Sequence, residues 1–489
     1  MIKTAFAQLR FTTSIVFGLP FAQWSLDHLI DAIQETQREF GPAGKLTAEM
    51  LAGPELGAEE FQELSMRRFR KQAARAARQT PYYQRVFGEL KIDPAQLTYA
   101  DIARIPLTRK EDLRADPDAF LASSSRPTFR TTTTGTTGKP TSIYFSTREM
   151  NTYIALNAIS LSLQGEINAS DIVQISTSAR ATLGNTCTAY ACQRIGAVWY
   201  LTGVVEPAQL LSLLAEKHHI PGKKSQVSFL MTYPSLLGRL VEYGLANGYR
   251  PADFGLEQVS IGGEIVSQGL KRRCRELFGE VCYSEGYGMT EIWPFGGTLC
   301  DQGHLHFEPT QGLVEVIDPE TGLPTAAGQV GTIVATPFPP YRETTLLLRY
   351  QTEDLARKLD GPFTCNRRRF PATSDLLGKL RLAVRHAGGW TTPRDILEAL
   401  EDIQEVPLPA RCGFWAVPEG VAVEVVTRSD TAQARRKVAE ALEKQHIPVR
   451  ELRLLSDPSQ LQHPFPHRGD LRELSFGAVV SEVQPVDRK

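Results

Sequence analysis

Residues 131–142 read TTTTGTTGKPTS, a stretch that gathers hydroxyl groups and glycines around one lysine. Glycines let backbone amides approach an anion closely, and hydroxyl and ammonium groups add donors for phosphate oxygens. The P-loop pattern needs four residues between its glycine and the Gly-Lys pair. Here only two threonines separate Gly135 from Gly138, and Pro140 removes an N–H that a phosphate-binding helix start would use. The stretch therefore indicates either phosphate contact of another kind or a flexible threonine-rich loop.

Bulk composition restricts the class of protein. A chain of 489 residues exceeds one typical core, so at least two domains are expected. The formal net charge of −1 gives no support to a nucleic-acid or anionic-membrane partner. Seven scattered cysteines, an odd number, favour a reducing compartment over a disulfide framework. Because the start of the chain is only mildly apolar and no stretch has the length of a membrane span, we expect a cytoplasmic protein.

Short apolar runs alternate with helical stretches through the middle of the chain. DIVQIS, GAVWYL, QVSFLMT and LEQVSIGG suit buried strands, and PAQLLSLLAEKH and GLKRRCRELFG suit the helices between them. STRE at 146–149 predicts a capping box that opens a helix. From about residue 311, LVEVI, GTIVATPF and TLLLRY indicate antiparallel β structure. After Gly378, a β-α-β texture indicates a separate domain, so the prediction is an α/β fold.

Three further motifs follow the threonine stretch in order: SIGGE at 260–264, YGMTE at 287–291 and RYQTEDL at 349–355. Together with TTTTGTTGKPT, this order resembles the adenylate-forming superfamily of acyl-CoA synthetases, adenylation domains and luciferases. The likeness is strongest to the phenylacetate–CoA ligase group, whose N-terminal lead-in is similar to the stretch from ARQTPYYQRVF to IARIPLTRKEDLR.

The resemblance implies how the chain is divided. A large N-terminal domain of α/β subdomains with an antiparallel β subdomain would occupy residues 66–377. A small, mobile α+β domain would occupy residues 378–489, and residues 1–65 would form a helical extension outside the resemblance.

The resemblance also implies two half-reactions. A carboxylate attacks the α-phosphate of ATP to give an acyl-adenylate and pyrophosphate, and a thiol, usually coenzyme A, then displaces AMP. Such a site must spread positive charge and donors around a crowded phosphate. The leading hypothesis is a ligase that joins a small carboxylic acid, for example an aromatic one, to coenzyme A. Acyl transfer to an amine or carrier protein, and a non-catalytic nucleotide- or acyl-binding descendant, are the alternatives. A homodimer is also left open.

The implied site residues fall on the four motifs. The threonine loop would wrap the β- and γ-phosphates, with Lys139 as its cation. Thr290 would donate to the α-phosphate, and Glu291 would bind Mg²⁺ through its hard oxygens. Tyr287 would lie against the adenine or the acyl group, and Asp354 would accept both ribose hydroxyls. The remaining nucleotide-binding positions are Thr133, Thr134, Gly135, Thr136, Thr137, Gly138, Gly262, Gly263, Glu264, Gly288 and Lys379.

The chain departs from the family pattern near its C-terminus. Lys379 stands for the hinge arginine and Arg381 for the hinge acidic residue, although a lysine and an arginine are not interchangeable. The family's late Gly-Lys pair, whose lysine bridges substrate and ATP, is matched by Gly469 and Asp470. An aspartate there would repel each anion by about 4 kcal/mol at contact distance. Three readings stay open: Arg468 substitutes, adenylation proceeds without the C-terminal domain, or this half-reaction is lost.

The stretches LCDQGHLHF and GPFTCNRR hold candidate metal ligands. Some relatives in the phenylacetate–CoA ligase group look similar here, with a cysteine, a histidine and a later Cys-x-Cys pair suited to structural Zn²⁺. In this chain Phe363 takes the first position of that pair. Cys300, His306 and Cys365 remain, with His304 as a candidate fourth ligand. An occupied zinc site and a vestigial one are both open.

Overall fold

The computed structural model describes residues 2–41, 57–133, 141–179, 181–365 and 367–468. The α-helices of these residues are α1 Ile2–Phe17, α2 Gln23–Phe40, α3 Ala58–Gln79, α4 Pro81–Leu90, α5 Tyr99–Ile102, α6 Lys110–Ala115, α7 Thr147–Leu163, α8 Thr182–Ile195, α9 Pro207–Ala215, α10 Pro234–Ala246, α11 Gln268–Phe278, α12 Pro393–Leu400 and α13 Ala432–Lys444. Short 3₁₀ helices lie at Pro117–Phe120, Pro251–Asp253, Leu380–Leu382 and Pro458–Gln460.

The strands are β1 Pro127–Thr132, β2 Ser142–Ser146, β3 Ile172–Ser176, β4 Val198–Leu201, β5 Phe229–Thr232, β6 Gln258–Ile261, β7 Cys282–Tyr287, β8 Gly297–Leu299, β9 His304–Phe307, β10 Gly312–Ile317, β11 Val330–Pro337, β12 Tyr350–Arg357, β13 Ala372–Ser374, β14 Gly378–Lys379, β15 Val384–His386, β16 Gly389–Thr391, β17 Cys412–Val417, β18 Gly420–Val426 and β19 Val449–Leu455. Among the described helices, none combines the length and the apolar character needed to cross a bilayer.

The largest sheet confirms the predicted α/β fold. Its strand order is β13-β9-β8-β7-β6-β5-β3-β4, with β4, β3, β5, β6 and β7 parallel and the others antiparallel. Alternate residues of β3 face opposite sides, as a pleated strand requires. Val173 and Ile175 pack with α7 and α8, whereas Ile172 packs with α9, α10 and α11. Helices therefore cover both faces of the sheet. The SIGGE and YGMTE motifs lie at its carboxyl edge.

The predicted antiparallel region is also present, as the sheet β10-β11-β12-β14. The strand expected over TLLLRY is wrong, because β12 begins only at Tyr350. Arg349 adopts a φ of +48°, in the left-handed region that an extended strand excludes. The preceding residues Leu346, Leu347 and Leu348 are fully buried in the hydrophobic core, which explains their strand-like composition.

The predicted capping box opens α7. The backbone N–H of Ser146 donates to Glu149 Oε2 at 2.7 Å, and the N–H of Glu149 donates to Ser146 Oγ at 3.2 Å. The same carboxylate accepts from the backbone N–H groups of Glu343 and Thr344 at 2.8 and 3.0 Å. Glu149 therefore fixes both the helix that follows the threonine loop and the loop that precedes β12.

Residues 378–468, called the C-terminal segment below, contain the predicted β-α-β texture. Strand β18 pairs antiparallel with β17 and parallel with β19, and α13 makes the crossover. The segment has a hydrophobic cluster of its own, in which Val423 and Val438 are fully buried. The N-terminal helix α2 packs on α7, and residues 42–56 of the predicted helical extension lie outside the described residues.

The C-terminal segment rests on α11 through close and polar contacts. A Cβ built on Gly269 would lie 2.5 Å from the backbone nitrogen of Asp402, so the two backbones touch where the helix begins. Ser267 donates its hydroxyl to the buried Glu401 carboxylate, which also accepts from the N–H of Ala410 at 3.2 Å. Arg273 reaches the carbonyl of Val406 at 2.8 Å. The segment is thus positioned against the carboxyl edge of the large sheet.

Candidate functional site

The SIGGE and YGMTE motifs meet at the carboxyl edge of the large sheet, where ligands bind in open α/β folds. Strands β6 and β7 pair in parallel with Ile261 opposite Glu285, which brings residues 262–264 beside residues 285–287. A Cβ built on Gly262 would lie 3.9 Å from the carbonyl oxygen of Gly286. The structure therefore brings together Gly262, Gly263, Glu264, Tyr287 and Gly288, as their predicted common role requires.

Tyr287, Asp354 and Lys379 form a hydrogen-bonded group at this edge. The Tyr287 hydroxyl donates to Asp354 Oδ2 at 3.0 Å, and the Lys379 ammonium lies 2.9 Å from the same oxygen. Lys379 also donates to the carbonyl of Thr352 at 3.0 Å. Burial, reinforced by the Asp354 charge, raises the pKa of Tyr287 well above its ordinary value. The phenol therefore stays protonated and acts as a donor to the carboxylate.

Glu291 is buried and carries a partner that the sequence reasoning missed. Its Oε1 lies 3.4 Å from the ammonium of Lys110 and accepts from the Tyr350 hydroxyl at 3.3 Å. Thr290 is half-buried in the turn just before it. Lys110 begins α6, directly after the PLTR stretch of the lead-in segment. The signal in the sequence that could have revealed Lys110 is its place in this lead-in segment, which resembles the phenylacetate–CoA ligase group.

Glu264 and Arg468 connect the SIGGE motif to the C-terminal segment. Glu264 Oε2 accepts from the N–H and hydroxyl of Ser235 at 2.9 and 2.6 Å, and its Oε1 accepts from the backbone N–H of Arg468. The guanidinium of Arg468 lies 6.0 Å from the centroid of the Tyr233 ring. A Cβ built on Gly263, which has a φ of +81°, would lie 3.4 Å from that guanidinium. The Arg468 side chain therefore lies at the carboxyl edge of the large sheet, beside the SIGGE motif.

Arg394 is a second residue that the sequence reasoning missed. Its guanidinium donates to the carbonyls of Leu376 and Val266, the latter at 3.1 Å, and lies 2.8 Å from an oxygen of Asp375. One side chain of α12 thereby holds the chain just before β14 against the chain that follows the SIGGE motif. Arg394 also pairs with Glu398 at 3.1 Å within α12, but its contacts with Val266, Asp375 and Leu376 come from outside that helix and leave no local pattern.

A small cavity, called the motif cavity below, lies between these segments. It is lined by Ile261, Gly262, Glu264, Val266, Glu285, Gly286, Tyr287, Leu299, Leu305, Asp375, Leu376 and Arg394. Apolar side chains and glycines form much of the lining, and Glu264, Glu285, Asp375 and Arg394 add charged groups. Burial raises the pKa of Glu285, although Lys271 beside it opposes the shift.

The threonine loop lies between the paired strands β1 and β2. Thr133 donates its backbone N–H to the carbonyl of Thr141 at 3.0 Å. The side-chain oxygens of both threonines are buried without a hydrogen-bond partner among the described residues. The other predicted positions, which lie outside the described residues, are Thr134, Gly135, Thr136, Thr137, Gly138, Lys139, Gly469 and Asp470.

The candidate metal ligands converge on one spot beside β9. One ligand atom from each of Cys300, His304, His306 and Cys365 lies within 4.8 Å of the other three. His306 Nε2 lies 3.1 Å from Cys365 Sγ, and the ring of Phe363 packs against both imidazoles. The structure thus places His304, the candidate fourth ligand, with the three ligands predicted from the sequence.

The arrangement fits a zinc ion. The carbonyl of Phe370 lies 3.0 Å from His306 Nδ1, so that nitrogen carries the proton and Nε2 turns its lone pair to the cluster. Burial lowers the pKa of His306, which favours the neutral ring that binds metals. His304 Nδ1 is buried without a hydrogen-bond partner among the described residues. Two sulfur and two nitrogen donors are a common set for tetrahedral Zn²⁺.

Comparison with known proteins finds related enzymes. Phenylacetate-coenzyme A ligase of Pseudomonas putida is 28% identical over 292 residues, which are 58% of this chain and 63% of that enzyme. The chain therefore covers less than two thirds of this relative. The enzyme of the same name from Thermus thermophilus is 26% identical over 328 residues, 65% of this chain and 71% of its own length.

Solved structures show the same fold. A 2-hydroxyisobutyryl-CoA ligase in the postadenylation state, in complex with R3-HIB-AMP, superposes with a TM-score of 0.69 at 19% identity, over 84% of this chain and 88% of its own. The same ligase with 2-HIB-AMP and CoA in the thioesterification state gives a TM-score of 0.58, over 83% and 88% of the two chains, at 20% identity. The sequence profile of AMP-binding enzymes matches residues 66–336, which hold the threonine loop and the SIGGE and YGMTE motifs. This chain belongs to the AMP-binding enzyme family.

Proposed function

We propose that this protein activates a carboxylic acid with ATP and then transfers the acyl group to coenzyme A. In the first step a carboxylate oxygen attacks the α-phosphorus and pyrophosphate leaves. In the second step the thiol of coenzyme A attacks the acyl carbon, and AMP leaves. The observation that carries the proposal is the contact of Tyr287 and Lys379 with the Asp354 carboxylate, because Tyr287 also lines the motif cavity beside the SIGGE segment.

The nucleotide is proposed to lie along the carboxyl edge of the sheet. The motif cavity would take the adenine against Gly262 and Tyr287, and Asp354 would accept from the ribose hydroxyls. Lys379 and Tyr287 both contact Oδ2 of Asp354, so they orient the carboxylate for that task. The threonine loop with Lys139 would then face the β- and γ-phosphates, as the family resemblance implies.

Positive charge near the α-phosphate is proposed to come from two side chains. Lys110 lies beside Glu291, and Arg468 reaches Gly263 from the C-terminal segment. Together they offer the charge that the family's late lysine supplies and that Asp470 cannot. Thr290 would donate to the α-phosphate. Glu291 would hold Mg²⁺, which neutralises phosphate charge when it is bound.

The four-residue cluster beside β9 is proposed to bind zinc. Cys300, His304, His306 and Cys365 would be the ligands, and the Phe370 carbonyl would fix the His306 ring. Zinc in such a closed set would serve structure rather than the reaction. Elemental analysis of the purified protein tests this proposal. A content near one zinc per chain supports it, and less than about 0.2 contradicts it, because a structural site stays largely filled.

The substrate class is proposed to be aromatic or other small carboxylic acids, on the strength of relatives that are phenylacetate-CoA ligases. Pyrophosphate exchange and hydroxamate formation over a panel of acids test the first step, and chromatography of the coenzyme A thioester tests the second. Exchange without thioester would favour an amine or a carrier protein as acceptor. Binding of ATP without exchange for any acid would favour the non-catalytic alternative.

We also propose the division into residues 1–65, 66–377 and 378–489, with the last domain turning about the stretch around Lys379. The separate hydrophobic cluster of the C-terminal segment supports this division. A homodimer stays a proposal, and light scattering of the purified protein tests it.

A further inference from the structure

The metal cluster and the motif cavity lie on opposite faces of one strand. Successive side chains of a strand point to opposite sides. In β9, His304 and His306 face the metal cluster, whereas Leu305 between them lines the motif cavity. Leu299, which also lines the cavity, immediately precedes Cys300. Three of the four ligands are therefore direct chain neighbours of the cavity lining.

The two lining leucines are held tightly by their own sheet. Leu299 and Leu305 are register partners in the pairing of β8 with β9. A Cβ built on Gly297 would lie 2.5 Å from Leu305 Cγ, so the leucine packs directly on the backbone of β8. Close-packed contacts of this kind transmit small displacements rather than absorb them. A shift of β9 would consequently change the shape of the cavity.

The fourth ligand extends the same connection to the other wall. Cys365 precedes β13, which pairs with β9 so that Ala372 lies opposite His306 and Ser374 opposite His304. The chain then passes directly into Asp375 and Leu376, which line the cavity beside Arg394. An ion bound by the cluster would cross-link β8, β9 and the chain leading to β13 behind the cavity.

We propose that metal bound by Cys300, His304, His306 and Cys365 positions the Leu299–Leu305 wall of the motif cavity and so strengthens nucleotide binding there. This inference rests on the proposed function, in which the cavity takes the adenine. The four ligands act through Leu299 and Leu305 and are positioning residues. Linkage requires the converse: nucleotide must tighten metal binding by the same factor by which metal tightens nucleotide binding.

The test measures binding and needs no turnover. Calorimetry would give the affinity of AMP for the zinc-loaded full-length protein and for the same protein stripped with a chelator. Competition with a chromophoric chelator would give the zinc affinity with and without saturating AMP. We expect AMP to bind about fivefold or more weakly after stripping, and AMP to raise the zinc affinity by the same factor, which is the lower range of typical couplings.

Variants separate the metal from the leucine wall. Cys365→Ser should lose zinc and weaken AMP binding to the level of the stripped protein. Leu305→Ala should weaken AMP binding while zinc remains near one per chain. Cys282→Ser is the matched control, because that cysteine is exposed and lies outside the cluster. If Cys365→Ser fails to fold, the comparison of loaded and stripped wild type decides alone.

The outcomes are distinguishable. Equal AMP affinity in the loaded and stripped proteins overturns the coupling and leaves the proposed function intact. A zinc content below about 0.2 per chain overturns it as well, because a structural site stays largely filled. Absence of AMP binding to the loaded protein contradicts the proposed function and the coupling together.

Discussion

The ammonium of Lys379 lies 2.9 Å from Oδ2 of Asp354, and the two residues are register partners in the pairing of β12 with β14. Asp354 is the carboxylate proposed to bind the ribose, and Lys379 stands where the chain enters the C-terminal segment. The nucleotide site and the beginning of that segment are therefore joined by one ion pair. A lysine is a single point charge, whereas an arginine could contact the carboxylate through two N–H groups.

We expect Lys379→Met to raise the KM for ATP about three- to tenfold. The change would leave Asp354, which is mostly buried, without its cation, and an unpaired buried charge is unfavourable. Lys379→Arg should keep most of the wild-type value, because it restores the charge. Lys358→Met is the control, since its partner Asp360 is exposed and lies beyond the end of β12. A wild-type KM in Lys379→Met would exclude this role.

Asp354→Ala should lower nucleotide affinity while the protein stays folded. Losing hydrogen bonds to a charged acceptor costs about 1.5–3 kcal/mol, or roughly 10- to 150-fold in Kd. Calorimetry with ATP gives the affinity, and circular dichroism checks the fold. Asp354→Asn should fall between the two proteins, because the amide keeps one acceptor oxygen. Unchanged affinity in the alanine variant would remove Asp354 from the nucleotide site.

Lys110→Met should slow pyrophosphate exchange by about 10²- to 10³-fold, as expected for loss of one preorganised donor at the reacting phosphate. Arg109→Met is a matched control, because Arg109 is the adjacent cation and is exposed. Exchange in that control should stay near the wild-type rate. If both variants lose activity equally, general charge rather than the position beside Glu291 explains the effect.

Arg468→Ala should slow pyrophosphate exchange by roughly 10- to 100-fold if the C-terminal segment supplies charge to adenylation. Arg468→Lys should retain part of the rate. The control is Arg436→Ala, which removes an exposed arginine from α13. Exchange at the wild-type rate in Arg468→Ala would mean that adenylation proceeds without help from this side chain.

The pH dependence of stability should report Glu401. Burial, with a smaller effect of the charges of Glu264 and Glu398, raises the pKa of Glu401 to about 7. Because the folded protein then binds this proton more tightly than the unfolded chain, stability should fall as the pH rises from about 4.5 to about 7 and level off above it. Thermal unfolding of the wild type and of Glu401→Gln measures this. The glutamine variant should lack that part of the slope, and parallel curves would contradict the assignment.

The sequence predicted the parts of the fold that depend on local pattern. The buried strands and their intervening helices follow from short apolar runs, and the Ser146–Glu149 capping box follows from spacing alone. The strand predicted over TLLLRY was wrong because the same apolar side chains are typical of strands and of buried residues outside strands. The left-handed backbone conformation at Arg349, whose guanidinium pairs with Glu315 at 3.0 Å, leaves no local pattern in the sequence.

The site residues that belong to sequence motifs could be predicted. The site residues that are recognised by their tertiary contacts could not. The motifs named Asp354, Tyr287 and Glu291, and the structure brings Tyr287 and Asp354 into contact. Lys110 and Arg394 have partners that are 181 and 128 residues away in sequence, and such contacts leave no local pattern. His304, the candidate fourth ligand from the sequence, lies with the metal cluster because β-strand alternation places it on the same face as His306.

The close approach at Gly269 has a consequence for how the chain can vary. A Cβ there would lie 2.6 Å from the carbonyl carbon of Glu401, so a single methyl group would act as a spacer between α11 and the C-terminal segment. Such a spacer alters no reacting group and no charge. It changes only the clearance at which Arg394 and Arg468 meet their partners. The hydrogen atom that Gly269 carries in place of a side chain therefore lets α11 and the C-terminal segment approach each other this closely.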